Sequence, residues 1–311
     1  MGKTAKETAI VEQAPIRTNP ELEEQVDEVV ECIRRNETFL VASHEEPDGD
    51  AIGSTLALGA LLEQLNKDVV LFNQDDVPYY CQFLDGADEV VNAVPHPGDY
   101  DVVFLLDCSE FDRLGERFPA SEIDGQVVVV DHHSTFNKER VDLAVRDEWA
   151  AATGELIYRM VEPLGVELTR ELAQCIYCAL MTDTGSFQYS NTSRTTFRIA
   201  GELLEAGVDA WQMTTRVLES QPLRRVELLG QVLETLTLSS CGRLAFIRID
   251  GDLVEPGESA AELTDGFINY GRSIRGVEVS TQLRQQSDQE WKVSFRSKGR
   301  VDVSKLAEQF G

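Results

Sequence analysis

Four short apolar runs, separated by segments with helical periodicity, constrain most strongly how this chain can fold. They span residues 38–43, 68–73, 101–107 and 126–131, and they are apolar at nearly every position rather than at alternate ones. Strands of this kind are buried on both faces, which is typical of a parallel sheet with helices on both of its faces. Apolar spacing predicts helices at 21–35, 51–66, 149–162, 169–182, 194–206, 209–219 and 222–236.

The chain changes character after residue 236. Strands are predicted at 243–250, 276–285 and 290–297, with helical stretches at 261–271 and 303–311. We therefore predict an α/β domain with a parallel sheet at residues 21–206, a helical linker at 207–236 and a smaller α+β C-terminal domain at 237–311. Residues 1–20 are expected to be a disordered leader.

Charge and composition exclude several classes of protein. The 311 residues carry 55 acidic and 28 basic side chains, a net charge of −27, which argues against a protein that coats long DNA or RNA. Residues 266–311 are an exception with a net charge of +3, so a basic wall there could hold a small anion, although sheet edges often carry Lys and Arg. Without a long apolar run or a signal-peptide core, the chain is expected to be cytoplasmic, with no membrane partner.

The six cysteines predict neither a disulfide framework nor a zinc site. Cys175 and Cys178 form a C-x-x-C within an apolar helical pattern, and no second Cys or His pair has the spacing that zinc requires. We expect reduced thiols, with this pair buried as small apolar side chains.

Potential metal ligands follow three of the predicted strands and end one predicted helix. Taken singly, each has an ordinary structural explanation, because Asp caps helices and His pairs are often structural. The carboxyl ends of parallel strands meet at one edge of the sheet, so these side chains are expected to converge. Carboxylate and imidazole ligands suit manganese, magnesium or iron, and six of them with a shared carboxylate could hold two cations. The residues are His44, Asp48, Asp50, Asp107, Asp131, His132, His133 and Asp183.

This set resembles the four motifs of the DHH phosphoesterase family, which takes its name from the motif seen here as Asp131-His132-His133. The segments 271–273, 293–297 and 301–307 resemble the DHH-associated C-terminal domain of that family, so the resemblance covers residues 22–311. In the family this domain continues into a glycine-rich segment. The sequence stops at Gly311, where that segment should begin, and the domain is therefore expected to be truncated at its glycine-rich end.

The resemblance also implies roles for these residues. Asp131 would orient an imidazole, and His133 would face the substrate as a phosphate donor or general acid, so both count as catalytic. The expected metal is manganese, with magnesium, cobalt and iron as alternatives. One cation would be held by His44 and Asp48, a second by Asp50, His132 and Asp183, and Asp107 would bridge them.

Candidate substrate-binding residues come from both domains. Arg113 could contact phosphate or simply lie at the surface, and Tyr189 could stack on a nucleobase or pack elsewhere. The others belong to the basic C-terminal domain, where they would hold a terminal phosphate or a base. They are Arg272, Ser273, Arg296 and Ser297.

The implied function is a phosphoric ester hydrolase of the exoribonuclease or phosphatase type. It would cleave short oligoribonucleotides, dinucleotides and phosphoadenosine phosphate by two-metal attack of hydroxide. A cyclic di-AMP phosphodiesterase is the alternative and a pyrophosphatase the third choice. A non-catalytic nucleotide sensor would be expected to lose ligands, whereas every ligand position here is filled. A homodimer is a further expectation.

Overall fold

The computed structural model describes residues 19–255 and 257–307. Its N-terminal part confirms the four predicted strands and adds a fifth, Leu143–Arg146, which the sequence missed because it is only four residues long. The strands are β1 Thr38–Ser43, β2 Asp68–Phe72, β3 Val102–Leu106, β4 Gln126–Asp131 and β5 Leu143–Arg146. The helices are α1 Leu22–Arg35, α2 Gly49–Gln64, α3 Thr153–Leu164, α4 Arg170–Asp183, α5 Arg194–Glu205 and α6 Ala210–Leu218.

The five strands form an all-parallel sheet in the order β2-β1-β3-β4-β5. Strand β2 lies on one side of β1, and strands β3, β4 and β5 follow on the other side. The direction in which strands are added to the sheet therefore reverses between β1 and β3. In open α/β sheets, ligands bind outside the carboxyl ends of the strands at such a reversal. Residues that follow β1 and β3 are therefore best placed for chemistry.

The two faces of this sheet are covered differently: α-helices cover one face, and loops with short 3₁₀ helices cover the other. Phe39, Phe104 and Val128 belong to a core that includes residues of all six helices α1–α6. Leu40, Leu105 and their neighbours on the opposite face pack instead against loops and two 3₁₀ turns, at Phe111–Leu114 and Ala120–Glu122. The crossings that cover this second face lack the apolar periodicity of an α-helix, so side chains such as Phe118 and Ile123 bury it from irregular backbone.

Helices α2, α3 and α4 pack very closely because small residues lie where they meet. A Cβ added to Gly53 of α2 would lie 2.6 Å from the carbonyl oxygen of Cys175, and one added to Gly154 of α3 would lie 2.5 Å from the Cβ of Ala179. Both distances are far shorter than a van der Waals contact. The starts of α2 and α3 are thereby brought against α4, close to where α4 ends at Asp183.

The C-terminal part confirms the smaller domain with a mixed sheet in the order β6-β7-β8-β9, in which β7 and β8 are parallel and the other pairs antiparallel. The predicted helix at 261–271 is divided in two near Gly266, whose φ of +72° lies in the left-handed region. The elements are α7 Leu223–Glu234, β6 Thr237–Leu238, β7 Leu244–Ile249, α8 Ala260–Thr264, α9 Ile268–Ser273, β8 Val279–Gln285, β9 Trp291–Ser297 and α10 Val303–Ala307.

The two helices of the predicted linker pack on different cores. Met213 and Val217 of α6 belong to the core of the parallel sheet, whereas Leu228 and Val232 of α7 pack with Ile247 and its neighbours in the C-terminal part. The chain therefore passes from one core to the other over residues 219–222.

Several smaller expectations concern the termini and the thiols. Residues 1–18 of the predicted leader and residues 308–311 lie outside the described residues. All six cysteines are free thiols; Cys241 is exposed and the others are buried, which confirms the predicted burial of Cys175 and Cys178. No helix in the described ranges combines the length and the apolar character that a bilayer crossing demands.

Candidate metal centre

The predicted metal ligands converge beside the strand reversal, at the carboxyl edge of the parallel sheet. They form three overlapping groups in which the potential ligand atoms lie within 4.8 Å of one another. We call the shared surface the acidic rim, defined by His44, Asp48, Asp50, Asp107, His132 and Asp183. The groups are His44–Asp48–Asp107, Asp50–His132–Asp183 and Asp107–His132–His133.

Asp107 lies between the two halves of the acidic rim. Its Oδ2 is 3.3 Å from Nε2 of His44, and its Oδ1 is 3.5 Å from Nε2 of His132. The residue follows β3 directly and has a φ of +59°, in the left-handed region that costs a non-glycine residue about 1 kcal/mol. The structure therefore holds this carboxylate where each of its oxygens faces a different imidazole, as a bridging ligand requires.

Backbone carbonyls orient the two imidazoles of the rim. Nδ1 of His44 lies 2.8 Å from the carbonyl oxygen of Glu45, and Nδ1 of His132 lies 3.2 Å from that of Ala150. A carbonyl oxygen can only accept, so in each ring Nδ1 carries a hydrogen and Nε2 is the nitrogen that faces the carboxylates. This is the tautomer that a metal-binding imidazole needs.

The first turn of α3 holds two of the buried carboxylates. Asp50 accepts hydrogen bonds from the backbone N–H groups of Thr153 at 2.7 Å and Gly154 at 3.0 Å, and from Oγ of Ser54 at 2.9 Å. The hydroxyl of Thr153 also donates to Oδ1 of Asp107 at 3.0 Å. Sequence analysis missed these donors because it began the helix at residue 149, four residues before Thr153. With the correct start, a helix N-terminus would have signalled anion-binding N–H groups.

Asp183 occupies an unfavourable position for an isolated carboxylate. It is the last residue of α4, at the negative end of the helix dipole, where cations are preferred. Nδ2 of Asn191, another residue that sequence analysis missed, donates to its Oδ2 at 3.2 Å, while Nε2 of His132 lies 3.7 Å from the same oxygen. A bound cation would relieve the conflict with the helix dipole.

The electrostatics of the acidic rim fit a cation site. Burial and the neighbouring carboxylates raise the pKa of Asp50 to about 6 and that of Asp183 to about 7, and they raise the pKa of Asp107 well above its ordinary value. Carboxylates and imidazoles alone make up the rim, a ligand set suited to manganese, magnesium or iron. The residues present therefore fit the divalent cations that the sequence predicts.

His133 and Asp131 form a pair beside the rim. The buried Asp131 accepts hydrogen bonds at its Oδ1 from Nδ1 of His133 at 2.8 Å and from the backbone N–H of His133 at 3.0 Å. Burial opposes ionisation of Asp131, but the bond with His133 lowers its pKa, and the same bond raises the pKa of His133 to about 9. The His133 side chain is 52% exposed, so its protonated imidazole is accessible to a ligand that binds at the rim.

A cavity of about 620 Å³ lies between the two domains and reaches the acidic rim at Asp48. Arg296 is the predicted substrate residue that lines this cavity. Arg272 contacts Tyr189 instead, with its guanidinium carbon 4.4 Å from the ring centroid, so that this pair joins the C-terminal domain to the loop after Asp183. One face of the Tyr189 ring is thus covered by an arginine.

The other three predicted substrate residues make local contacts. Oγ of Ser273 donates to the carbonyl oxygen of Tyr270 at 2.8 Å, and Oγ of Ser297 accepts from the N–H of Gly299 at 3.1 Å. Arg113 has an exposed side chain, and its carbonyl oxygen accepts from the N–H of Glu45 at 2.7 Å. None of the three is among the residues that line the cavity.

Two further cations in the cavity wall belong to the basic stretch 266–311 that was predicted to hold a small anion, although sequence analysis did not name them as site residues. Nη2 of Arg284 lies 2.7 Å from Oε1 of Glu46, and Nζ of Lys292 contacts Oε2 of the same residue. The available signal was the alternation along the predicted strands, since Lys292 and Arg296 are spaced to share a face. We call Arg284, Lys292 and Arg296 the cationic wall.

The sequence and structure match known proteins over most of the chain. The family model described as "DHH family, N-terminal domain" matches residues 38–180. A bifunctional oligoribonuclease and PAP phosphatase NrnA of Thermus thermophilus is 34% identical over 271 residues, which cover 87% of this chain and 79% of that protein. The protein of the same name from Bacillus subtilis is 26% identical and covers 91% of this chain and 88% of its own length.

Two solved structures resemble this chain in fold. An exopolyphosphatase-related protein from Bacteroides fragilis superimposes with a TM-score of 0.81 at 26% identity, covering 93% of this chain and 87% of that chain. A putative family II inorganic pyrophosphatase from Methanococcus jannaschii, with a TM-score of 0.51 and 17% identity, shares the fold. The family motifs, the geometry of the acidic rim and these relatives together establish that the chain belongs to the DHH family.

Proposed function

We propose that the chain is a metal-dependent phosphoesterase that hydrolyses short oligoribonucleotides, dinucleotides and phosphoadenosine phosphate. The observation that carries the proposal is the position of Asp107, whose two oxygens face the imidazoles of both halves of the acidic rim. The relatives named as oligoribonuclease and PAP phosphatase support this choice of substrates. The cavity of about 620 Å³ between the domains suits a short ligand, and the acidic bulk of the chain disfavours a long nucleic acid.

Two divalent cations, with manganese favoured, are the proposed cofactors. A probable manganese-dependent inorganic pyrophosphatase of Streptococcus mutans, 30% identical over 58% of this chain and 60% of that protein, supports the metal. His44 and Asp48 would hold one cation, Asp50, His132 and Asp183 the other, and Asp107 both. When bound, the cations supply a hydroxide at neutral pH and neutralise charge on the phosphate.

The remaining steps depend on the side chains around the rim. Thr153 and Asn191 fix the carboxylates that they contact, so that little reorganisation is needed during the reaction. His133, held through Nδ1 by Asp131, donates a hydrogen bond or proton to the leaving oxygen. Arg296 and the Arg272–Tyr189 pair hold the distal part of the substrate. A homodimer stays a prediction.

The first experiment is a turnover panel with the purified chain and manganese. The panel contains linear diadenylate, a five-nucleotide RNA, phosphoadenosine phosphate, cyclic di-AMP and pyrophosphate, and the products are separated by chromatography. We expect the fastest turnover for the linear dinucleotide and phosphoadenosine phosphate. Preferential opening of cyclic di-AMP would identify a cyclic dinucleotide phosphodiesterase, and preferential cleavage of pyrophosphate would identify a pyrophosphatase. A metal-loaded protein that turns over none of them would contradict the proposal.

A further inference from the structure

We propose that Arg284 and Lys292 form a binding site for a second phosphate of the substrate, and that Glu46 occupies this site as an internal carboxylate until the phosphate displaces it. The proposal concerns a phosphate other than the one being hydrolysed. It rests on the proposed function, because it assumes that the acidic rim receives the scissile phosphate.

The first observation is the pairing of β8 with β9. Arg284 and Lys292 are direct cross-strand partners in this antiparallel pair. Two like charges placed opposite each other destabilise a sheet. The pair is therefore costly for the fold and is best explained by an anion that bridges both cations. In this structure the carboxylate of Glu46 does so, with Oε1 on Arg284 and Oε2 on Lys292.

The burial of Arg284 strengthens the argument. Its side chain is only 8% exposed, so its guanidinium depends on a partner anion for most of the stabilisation that water would otherwise provide. Lys292 is 48% exposed and keeps contact with solvent. A planar guanidinium beside an ammonium matches the oxygens of a phosphate at least as well as those of a carboxylate.

The backbone at Glu46 is strained while its carboxylate occupies the site. It lies between the rim residues His44 and Asp48, and its φ of +49° is in the left-handed region, which is unfavourable for glutamate. Its backbone N–H donates to Oδ2 of Asp75 at 2.8 Å. When a phosphate replaces the carboxylate, the strained backbone at Glu46 is free to relax, and the cavity opens next to Asp48.

Uncharged polar groups continue the same face of the sheet. Gln282 and Ser294 are cross-strand partners one step along from the Arg284–Lys292 pair, and both line the cavity. Oε1 of Gln282 is buried and has no hydrogen-bond partner among the described residues, so it can accept a hydrogen bond from a hydroxyl or amino group of a ligand. The acids of the cavity lie on other elements, namely Glu46, Asp48, Asp75, Asp76, Glu262 and Asp265. The two strands are thus the anion-binding wall of the cavity.

Binding of a single phosphate to the metal-free protein tests the site without turnover. Adenosine 5′-monophosphate is titrated calorimetrically into the full chain in EDTA, with adenosine as the ligand that lacks phosphate. We expect Lys292→Gln and Arg284→Gln each to weaken binding of the monophosphate about tenfold, as loss of a charge-assisted hydrogen bond implies. Glu46→Gln should tighten binding about fivefold, because the site no longer has to be vacated. Arg300→Gln, which changes an exposed arginine paired with Glu278, is the matched control.

Kinetics with manganese then connect the site to the substrate. Diadenylate with a 5′-phosphate is compared with diadenylate without one. The increase in KM caused by Lys292→Gln should be about tenfold larger for the phosphorylated dinucleotide. If wild-type protein hydrolysed neither dinucleotide, the proposed function would fail, while the calorimetric result would still stand.

Either of two results would overturn the inference. If Glu46→Gln weakened or did not change binding of adenosine 5′-monophosphate, Glu46 would be a structural link between the domains and not a competitor. If Lys292→Gln altered neither binding nor the KM difference, Arg284 and Lys292 would not form a phosphate site. Lys292 is half exposed, so its variant should fold even if that of the buried Arg284 does not.

Discussion

The acidic rim, which meets the cavity at Asp48, and the cationic wall, which lines it, are built in opposite ways. Rim side chains are short and mostly buried, and hydrogen bonds from Thr153, Gly154 and Asn191 fix several of them. Wall side chains are long and reach the cavity from two strands, and two of them, Arg284 and Lys292, contact Glu46 of the other domain. The rim is therefore preorganised for a cation, whereas the wall can adapt to an anion.

This difference suggests that the two surfaces have separate roles. A rigid group of ligands contributes mainly to the chemical step, since its stabilisation of developing charge requires no rearrangement. A wall of long cationic side chains contributes mainly to affinity and to the choice of substrate. Changes in the rim should therefore lower kcat or metal affinity, and changes in the C-terminal domain should raise KM. Four experiments test that contrast.

The largest effect is expected for Asp107→Asn. Loss of one anionic oxygen between the two halves of the rim should lower manganese-dependent kcat by about 10³-fold or more. Steady-state kinetics measure the loss, and Asp112→Asn, a change at an exposed position, is the control. Full turnover by the Asp107 variant would disprove the bridging role.

Manganese should also stabilise the folded chain. A ligand that binds only the folded state adds about 2.7 kcal/mol to the free energy of unfolding when its concentration is a hundred times Kd. Thermal unfolding with manganese and with EDTA measures this gain as a rise in Tm. The rise should vanish in Asp107→Asn, and an equal rise in that variant would place the metal outside the acidic rim.

A smaller effect is expected for Thr153→Val, which removes the hydroxyl that donates to Asp107 and retains the backbone N–H that donates to Asp50. Loss of such a supporting bond should weaken manganese binding about tenfold, as measured by calorimetry. Thr55→Val is a matched control, since that buried hydroxyl donates to the carbonyl oxygen of Ala51 within α2. Equal metal affinity in the two variants would show that Thr153 does not position the carboxylate.

The smallest effect is expected for Arg272→Gln in the C-terminal domain. Loss of the contact between its guanidinium and the Tyr189 ring should raise KM about threefold and leave kcat close to that of the wild type. Arg216→Gln is the control, because Arg216 lies over the ring of Phe83, 5.0 Å from its centroid. A fall in kcat without a change in KM would contradict the assignment of separate roles to the rim and the C-terminal domain.

The parallel sheet and the ligands after its strands could be predicted from the sequence because both depend on local patterns. A run such as Val102–Leu106 is apolar throughout, so it must be buried on both faces, and the polar residue after it must lie at the sheet edge. Asp107 and His132 follow such runs directly. Three of the four strands of the smaller C-terminal sheet, β7, β8 and β9, could be predicted in the same way, whereas the two-residue β6 was missed.

The covering of the sheet and the supporting hydrogen bonds could not be predicted in the same way. Side chains such as Phe118 reach the second face from irregular backbone, which leaves no periodic signal. Asn191 contacts Asp183 only because the turns after α4 bring the two together. The positions of these groups depend on packing rather than on propensity.

The sequence by itself determined the parallel sheet, the smaller domain and the identity of the ligands, since burial and strand direction decide which residues reach the sheet edge. Only the tertiary structure decided which residues face one another across the cavity. The Arg284–Lys292 pairing depends on the register of β8 and β9, and its contact with Glu46 joins residues 238 positions apart along the chain. Such a contact depends on how two separately packed cores dock, and no local pattern in the sequence records that docking.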